Sequence, residues 1–166
     1  MELNLSNELL VKTANQFGTP LYVYHAEKIE EQFNKLRSAL SPANTTIFYA
    51  CKALTNINIL KYIKSIGCNV DCSSSNEVFL AIEAGFASKE ILYTSNNVDF
   101  NELDQVAAKG VNINIDSLSA LLKFGKKYGN AYPVGVRLRP NIMAGGNLKI
   151  STGHDNSKFG IPLEQV

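Results

Sequence analysis

The strongest constraint in this chain is an apolar pulse that returns at an almost even interval. Short runs rich in β-branched and aromatic residues centre near Ile47, Val70, Leu92, Ile113 and Val136, at spacings of 23, 22, 21 and 23 residues. Each is too short for a helix and is bounded by polar or turn-forming residues, as buried strands are. Between them apolar residues recur at helical spacing, as in Ile57, Ile59, Leu60, Ile63 and Ile66, or Leu118, Leu121, Leu122 and Phe124. Helices are expected over about 57–66, 76–86, 100–108 and 118–128. Gly67, Gly85, Gly110 and Gly129 fall near the helix ends, where a left-handed cap favours glycine. The units share little sequence, so the repeat is one of architecture.

Strand, helix and strand with no hairpin signal require parallel strands joined by right-handed crossovers. A doubly wound sheet and a (β/α)8 barrel both satisfy that rule. No glycine-rich dinucleotide fingerprint follows the first strand. Polar groups, however, follow all five: Lys52; Asp71 with Ser73 and Ser74; Ser95 with Asn96 and Asn97; Asp116 with Ser117; and Arg137. A row of polar strand ends is what a barrel rim presents. The expected fold class is therefore α/β, a parallel (β/α)8 TIM-type barrel of which these residues supply about the first five βα units. Helix capping is the competing account of Asp71, Ser95, Asp116 and Ser117, and for Asp116 and Ser117 it is preferred. Neither Lys52 nor Arg137 can cap a helix N-terminus.

Lys52 stands out for its setting. Ile47-Phe48-Tyr49-Ala50-Cys51 reads as a strand that ends at about Cys51, and a helix begins by about Asn58. That places Lys52 at a strand's carboxyl end, where α/β proteins carry their chemistry. A lysine desolvated between apolar neighbours becomes a nucleophile suited to a Schiff base; an exposed surface lysine is the alternative.

Ahead of the repeat, residues 1–24 form a separate segment. A short amphipathic helix is expected over 3–17, a break at Gly18-Thr19-Pro20, and a short strand at Leu21-Tyr22-Val23-Tyr24. Residues 25–166 make up the barrel portion, which opens with a helix carrying Ile29, Phe33, Leu36 and Leu40 and ending at Ser41-Pro42. The chain stops as another helix is expected to begin near Ile161, so it is read as the first part of a longer protein.

Sixteen Lys and Arg against 15 Asp and Glu give a net charge of +1, with no basic face for nucleic acid or an anionic membrane. No apolar run approaches the roughly 20 residues of a membrane span, and the N-terminus lacks a signal-peptide pattern. A soluble, cytoplasmic protein is expected. Cys51, Cys68 and Cys72 have no metal or redox spacing and read as buried free thiols, Cys68 and Cys72 on one strand face. No metal site is expected. His25 reads as structural, while His154, in a polar loop beside Ser157 and Lys158, is kept as a site candidate. The stretch from Asn141 to Gly153 is a long polar loop on the active rim.

Seven ordered motifs now carry a resemblance: TPLYVY, FYACKAL, VDCSSSNE, EAGF, NINIDSLS, VRLRPN and STGHDNSKFGI. In order and spacing they resemble the barrel domain of the fold-type III pyridoxal phosphate decarboxylases, over nearly the whole chain from Gly18. The AGGN-x-KISTG segment and SKFGI are most similar to the diaminopimelate decarboxylase branch. The resemblance implies pyridoxal 5'-phosphate as cofactor, Lys52 as the lysine that binds it covalently, and Asp71 and Glu77 as an acidic pair near it. It implies Arg137 close to the cofactor ring. Ser74, His154 and Lys158 stand beside these as further candidates, Lys158 in a family motif without an assigned role.

The implied reaction is decarboxylation of meso-diaminopimelate to lysine and carbon dioxide, the last step of lysine biosynthesis, in a homodimer with shared active sites. The cofactor's ring-stacking histidine, its phosphate loops and a C-terminal β domain are expected beyond Val166, with residues 1–24 packing against that domain. By itself the 166-residue chain is expected to be inactive. Three positions depart from the family pattern: His25 where an aspartate is common, so that a helix cap is missing or replaced; Arg139 where asparagine is common; and Cys72 with a triple serine in place of a more glycine-rich loop. Another decarboxylase or a racemase of the same group, or a barrel that binds the cofactor without turnover, are the alternatives.

Overall fold

The computed structural model describes residues 5–143, 152–154 and 157–165. Most of the Asn141–Gly153 loop lies outside the described residues. The chain begins with helix α1 (Asn7–Phe17) and α2 (Ala26–Ala39), then alternates strictly. Strand β1 (Phe48–Ala50) leads to α3 (Ile57–Ser65), β2 (Asn69–Cys72) to α4 (Ser75–Glu83), and β3 (Ile91–Thr94) to α5 (Phe100–Ala107). Strand β4 (Asn112–Ile115) is followed by α6 (Leu118–Tyr128) and β5 (Gly135–Val136). Two short strands, β6 (Leu138–Arg139) and β7 (Ile161–Pro162), pair in parallel as a second sheet.

All four pairings in the main sheet are parallel, and the strand order is β1-β2-β3-β4-β5. A doubly wound sheet reverses its order at a switch point. This sheet never does, and its helices contact one another in sequence, α2 on α3 through α5 on α6. Repeated right-handed crossovers in one direction keep every helix on one face, which is how a (β/α) barrel is built. The described residues supply five consecutive strands of that barrel, the first four each followed by its helix.

Core residues lie between sheet and helices: Val70 and Cys72 from β2, Ile91 and Tyr93 from β3, Ile113 and Ile115 from β4 meet Leu60, Ile63, Val78, Leu103, Val106 and Phe124. Alternation along each strand turns its other side chains, among them Asp71, Thr94 and Asn114, to the opposite face. Helix starts follow local polar chemistry. Ser74, Asp99 and Ser117 accept backbone N–H groups at the starts of α4, α5 and α6. At α2 the missing aspartate is replaced by His25, whose Nδ1 accepts the Lys28 N–H at 3.2 Å. All four cap glycines have positive φ, from 53° to 95°.

Three expectations need correction. Leu21–Tyr24 is not a strand. No neighbour among the described residues takes its N–H and C=O groups, and Tyr22 is 88% exposed; extended chain becomes a strand only with a partner. Near Ile161 the chain forms β7 and one 3₁₀ turn, Leu163–Gln165, because the Ile161 N–H is captured by the Arg137 carbonyl at 2.8 Å. Asp116 does not cap α6. Ser117 does, and Asp116 instead accepts bonds from Asn96 Nδ2 at 2.9 Å and the Asn97 N–H at 3.1 Å.

Gly160 explains part of the SKFGI motif. It has φ +80°, and a Cβ there would stand 3.0–3.1 Å from backbone atoms of Leu138, Arg137 and Arg139. Only a residue without a side chain lets the chain cross those peptides to form β7. Gly160→Ala should therefore lower stability by about 1–3 kcal/mol, read as a fall in the urea midpoint with an unchanged slope.

Candidate active site

Parallel strands bring all their carboxyl ends to one edge, so Lys52, Asp71, Ser95, Asp116 and Arg137 share a rim by topology alone. Lys52 lies two residues past the end of the strand, in a 3₁₀ turn, Cys51–Ala53. Two bonds shape that turn: the Leu54 N–H donates to the Cys51 carbonyl at 3.0 Å, and the Tyr49 hydroxyl donates to the Leu54 carbonyl at 3.3 Å. Lys52 is exposed, not desolvated as its apolar neighbours promised. Cys51 takes the buried side of the turn, and the next residue necessarily leaves it.

Asp71 is the most informative group on the rim. Ala50 pairs with Asp71 across β1 and β2, so the carboxylate sits beside the turn that carries Lys52. Asp71 Oδ1 is buried and has no hydrogen-bond partner. Burial pushes the carboxyl above its ordinary value, while the Thr94 hydroxyl and the charges of Lys52 and Arg137 pull it back. Thr94 Oγ1 in turn accepts from Asn114 Nδ2 at 3.1 Å. A Cβ on Gly135 would overlap Asn114 Oδ1 at 2.1 Å, so a glycine is needed where β5 passes it. A polar row thus runs from β5 to β2 and stops at an unsatisfied oxygen.

Arg137 sits between β5 and β6. Its N–H donates to the Ile115 carbonyl at 2.8 Å, and its guanidinium lies 4.4 Å from the Phe159 ring centroid. Lys158 is exposed, with its Nζ 5.3 Å from the same ring, and its carbonyl accepts from Asn96 Nδ2 at 3.1 Å. His154 is half-buried, and its carbonyl accepts the Ser157 N–H at 3.0 Å. Ser74 is occupied as the cap of α4. Lys158 and His154 thus lie in the segment that leads into β7, with Lys158 sharing the Phe159 ring with Arg137.

Glu77 reaches back from α4 to accept the Ser73 N–H at 2.6 Å. Its carboxylate also lies in a cluster that motif spacing did not show: Cys51 Sγ, Cys72 Sγ and a Glu77 oxygen are all within 4.8 Å of one another. Only strand register brings them together. The pairing of Ala50 with Asp71 sets Cys51 opposite Cys72 one step on. Thr94, Asn114 and Gly135 were likewise missed. Strict alternation along β3 and β4 was the signal that could have found the first two.

A groove of about 620 Å³ lies along α2 and β1 and is lined by residues such as Ile29, Phe33, Ile47 and Tyr49. It is apolar and away from the charged rim. A polar cleft of about 460 Å³ lies between Asp116, Asn96, Lys158 and Gln165. The rim around Asp71 is the part of the surface whose buried carboxylate oxygen has no partner among the described residues. An aldehyde cofactor needs a primary amine that it can reach. Lys52 is the primary amine at these five strand ends, and the unpartnered Asp71 oxygen beside it fits a group that arrives with its own donors.

Comparison with known proteins agrees with that chemistry. The sequence profile of the "pyridoxal-dependent decarboxylase, pyridoxal binding domain" family matches residues 26–166. The chain is 37% identical over 153 residues to the diaminopimelate decarboxylase of Methanothermobacter thermautotrophicus, covering 91% of this chain and 36% of that protein. It is 32% identical over 169 residues to the Aquifex aeolicus diaminopimelate decarboxylase, covering 99% and 40%. The crystal structure of Helicobacter pylori diaminopimelate decarboxylase complexed with L-lysine superposes with a TM-score of 0.86 at 26% identity, covering 94% of this chain and 41% of that one. The chain thus spans about two fifths of the length of these relatives. It belongs to the pyridoxal-dependent decarboxylases and carries their pyridoxal-binding domain.

Proposed function

We propose that the chain is the lysine-bearing part of a diaminopimelate decarboxylase, which releases carbon dioxide from meso-diaminopimelate and leaves lysine. The observation that carries this reading is the pairing of a reachable amine, Lys52, with a carboxylate whose buried oxygen lacks a partner. The substrate rests on the relatives named as diaminopimelate decarboxylases and on the L-lysine in the Helicobacter pylori structure. Bound pyridoxal phosphate supplies an aldehyde for amines and a ring that takes up the electron pair when the carboxylate leaves.

The chain's own residues provide attachment and orientation. Lys52 Nζ is the point of attachment. Asp71, across the β1–β2 pairing, attracts that amine in its charged form and draws it to β2 whenever it is free. Arg137, steadied over Phe159, brings a second positive charge to the same carboxylate. Ser74 and Glu77 act one step back, since they hold the loop that follows β2. His154 and Lys158 lie beside β7, where they face substrate only if the full rim brings it there.

Residues 1–24 belong, in this proposal, against a β-rich part of a protein of the relatives' length, while 25–166 form the barrel portion. Helix α1 buries no residue, and Leu21, Val23 and Tyr24 leave apolar surface exposed. A cytoplasmic homodimer with shared active sites completes the reading on family resemblance. Among the described residues no helix is long and apolar enough to cross a membrane.

The test is direct. Protein incubated with pyridoxal phosphate and reduced with borohydride should carry one pyridoxyl group, on Lys52 by peptide mass mapping, and Lys52→Ala should carry none. Adducts scattered over several lysines would sink the assignment. Carbon dioxide release from meso-diaminopimelate is to be measured on a protein of the relatives' length; in this proposal the 166-residue chain releases none.

Asp71 gives a second test with opposite signs. Its folded carboxyl holds its proton more tightly than the unfolded one, so stability falls as pH rises from the ordinary carboxylate value through the raised one. At neutral pH, Asp71→Asn should therefore gain stability, by about 1 kcal/mol, because the neutral amide does not bear the cost of burying a charge. The same variant should label Lys52 more slowly. A variant both less stable and unchanged in labelling contradicts the role.

A further inference from the structure

We infer that Cys51 and Cys72 are a redox-active thiol pair, which a peroxide converts to a cross-strand disulfide directly beneath Lys52. Cys72 ends β2 and Cys51 opens the turn that directly follows β1, each one step past the pairing of Ala50 with Asp71. Both are fully buried and free, and their sulfurs lie within 4.8 Å of each other and of a Glu77 oxygen. The cluster offers three ligands, and its carboxylate already accepts the Ser73 N–H. That is one short of the four that close a structural zinc site, so the chemistry at hand is that of a dithiol.

The pair is unequal, as such chemistry requires. A hydrogen bond from Cys72 favours the Cys51 thiolate and holds the proton on Cys72. Cys51 also begins the 3₁₀ turn whose next two residues are exposed, so it is the sulfur a small oxidant reaches first. The Cys51 thiolate attacks one oxygen of hydrogen peroxide, forming the sulfenic acid and releasing hydroxide. The Cys72 sulfur then displaces that hydroxyl, forming the S–S bond. Hydroxide and the leaving hydroxyl take up the two thiol protons, so two thiols and one peroxide give one disulfide and two waters. Cys68, by contrast, lies just ahead of β2, four residues from Cys72, and faces the Ile47 and Asn69 carbonyls at 3.6 and 3.3 Å.

Neighbouring strands run about 4.8 Å apart, while disulfide Cβ atoms prefer about 3.8 Å. The bond therefore forms only if one side moves. Cys51 has already left the ladder, so the turn bearing Lys52 is what shifts. Strain of this kind makes a disulfide easy to reduce, which is the property of a reversible switch. The consequence for Lys52 rests on the cofactor reading above; the disulfide does not.

The experiment uses the chain as it is. After hydrogen peroxide and its removal, free thiols are alkylated and peptides are mapped by mass. The expected product lacks two hydrogens, links Cys51 to Cys72, leaves Cys68 alkylated, and reverts with dithiothreitol. Cys68→Ser should behave like the parent, while Cys51→Ser and Cys72→Ser should form no internal link. Three alkylated cysteines, irreversible sulfinic acid, or links through Cys68 would overturn the proposal. The oxidised chain should also label with pyridoxal phosphate and borohydride more slowly at Lys52, with the rate restored by dithiothreitol. A disulfide that leaves this rate unchanged overturns the coupling. If the reduced chain takes no label while the disulfide forms, the cofactor reading fails and the thiol pair stands.

Discussion

Ala50 and Asp71 stand opposite each other where β1 and β2 pair, and most relations at the sheet's carboxyl edge follow from that register. Side chains alternate along a strand, so a shift of one residue would exchange the two faces of β2. With the register as it is, Asp71 points to the face that carries the charged rim, next to the turn of Lys52. Cys72 points to the helices and meets Cys51. One pairing therefore sets an amine beside a carboxylate on one face and a thiol beside a thiol on the other. The apolar contacts of Val70 and Cys72 with the core are what hold that face inward, since a one-residue slip would bury the Asp71 carboxylate among aliphatic side chains.

The rim is stiffened by bonds that link successive units. Glu102, on α5, accepts the Ser75 N–H at 2.8 Å and the Tyr93 hydroxyl at 2.9 Å, tying the start of α4 to β3. Asp116 holds Asn96 and Asn97, the latter at φ +51°, and Asn96 reaches on to Lys158. Apart from the Tyr93–Glu102 bond, which lies within one βα unit, each bond crosses from one unit to another, so the strand ends are fixed against each other and not merely aligned. Strand ends fixed in this way keep the groups on the rim in place relative to one another. Polar residues that do not touch the Lys52 turn are thus used to place those that do.

Much of the framework is local chemistry and was legible from residues alone. The even apolar period, the serine, asparagine and aspartate caps and the positive-φ glycines specify where strands and helices start and stop, and the observed boundaries follow them within a few residues. Lys52 and Arg137 were legible as site candidates because neither can serve as a helix cap. Asp116 was not: its chemistry suits a cap, and only the position of Asn96 and Asn97 shows it holding a neighbouring loop. Leu21–Tyr24 has strand-forming residues, yet a strand is a relation between two segments and none adjoins it among the described residues.

By itself, then, the sequence determined the elements of the alternating repeat, their order, the parallel sense of the sheet and the kind of residue at each strand end. These depend on neighbours within a few positions along the chain, through periodicity, capping and backbone freedom. The tertiary structure decided which of those residues meet. The orphaned Asp71 oxygen, the row from Gly135 through Asn114 and Thr94, the exposure of Lys52 and the contact between Cys51 and Cys72 all depend on cross-strand register. Register is settled by packing among residues some twenty positions apart, and no local pattern encodes that packing.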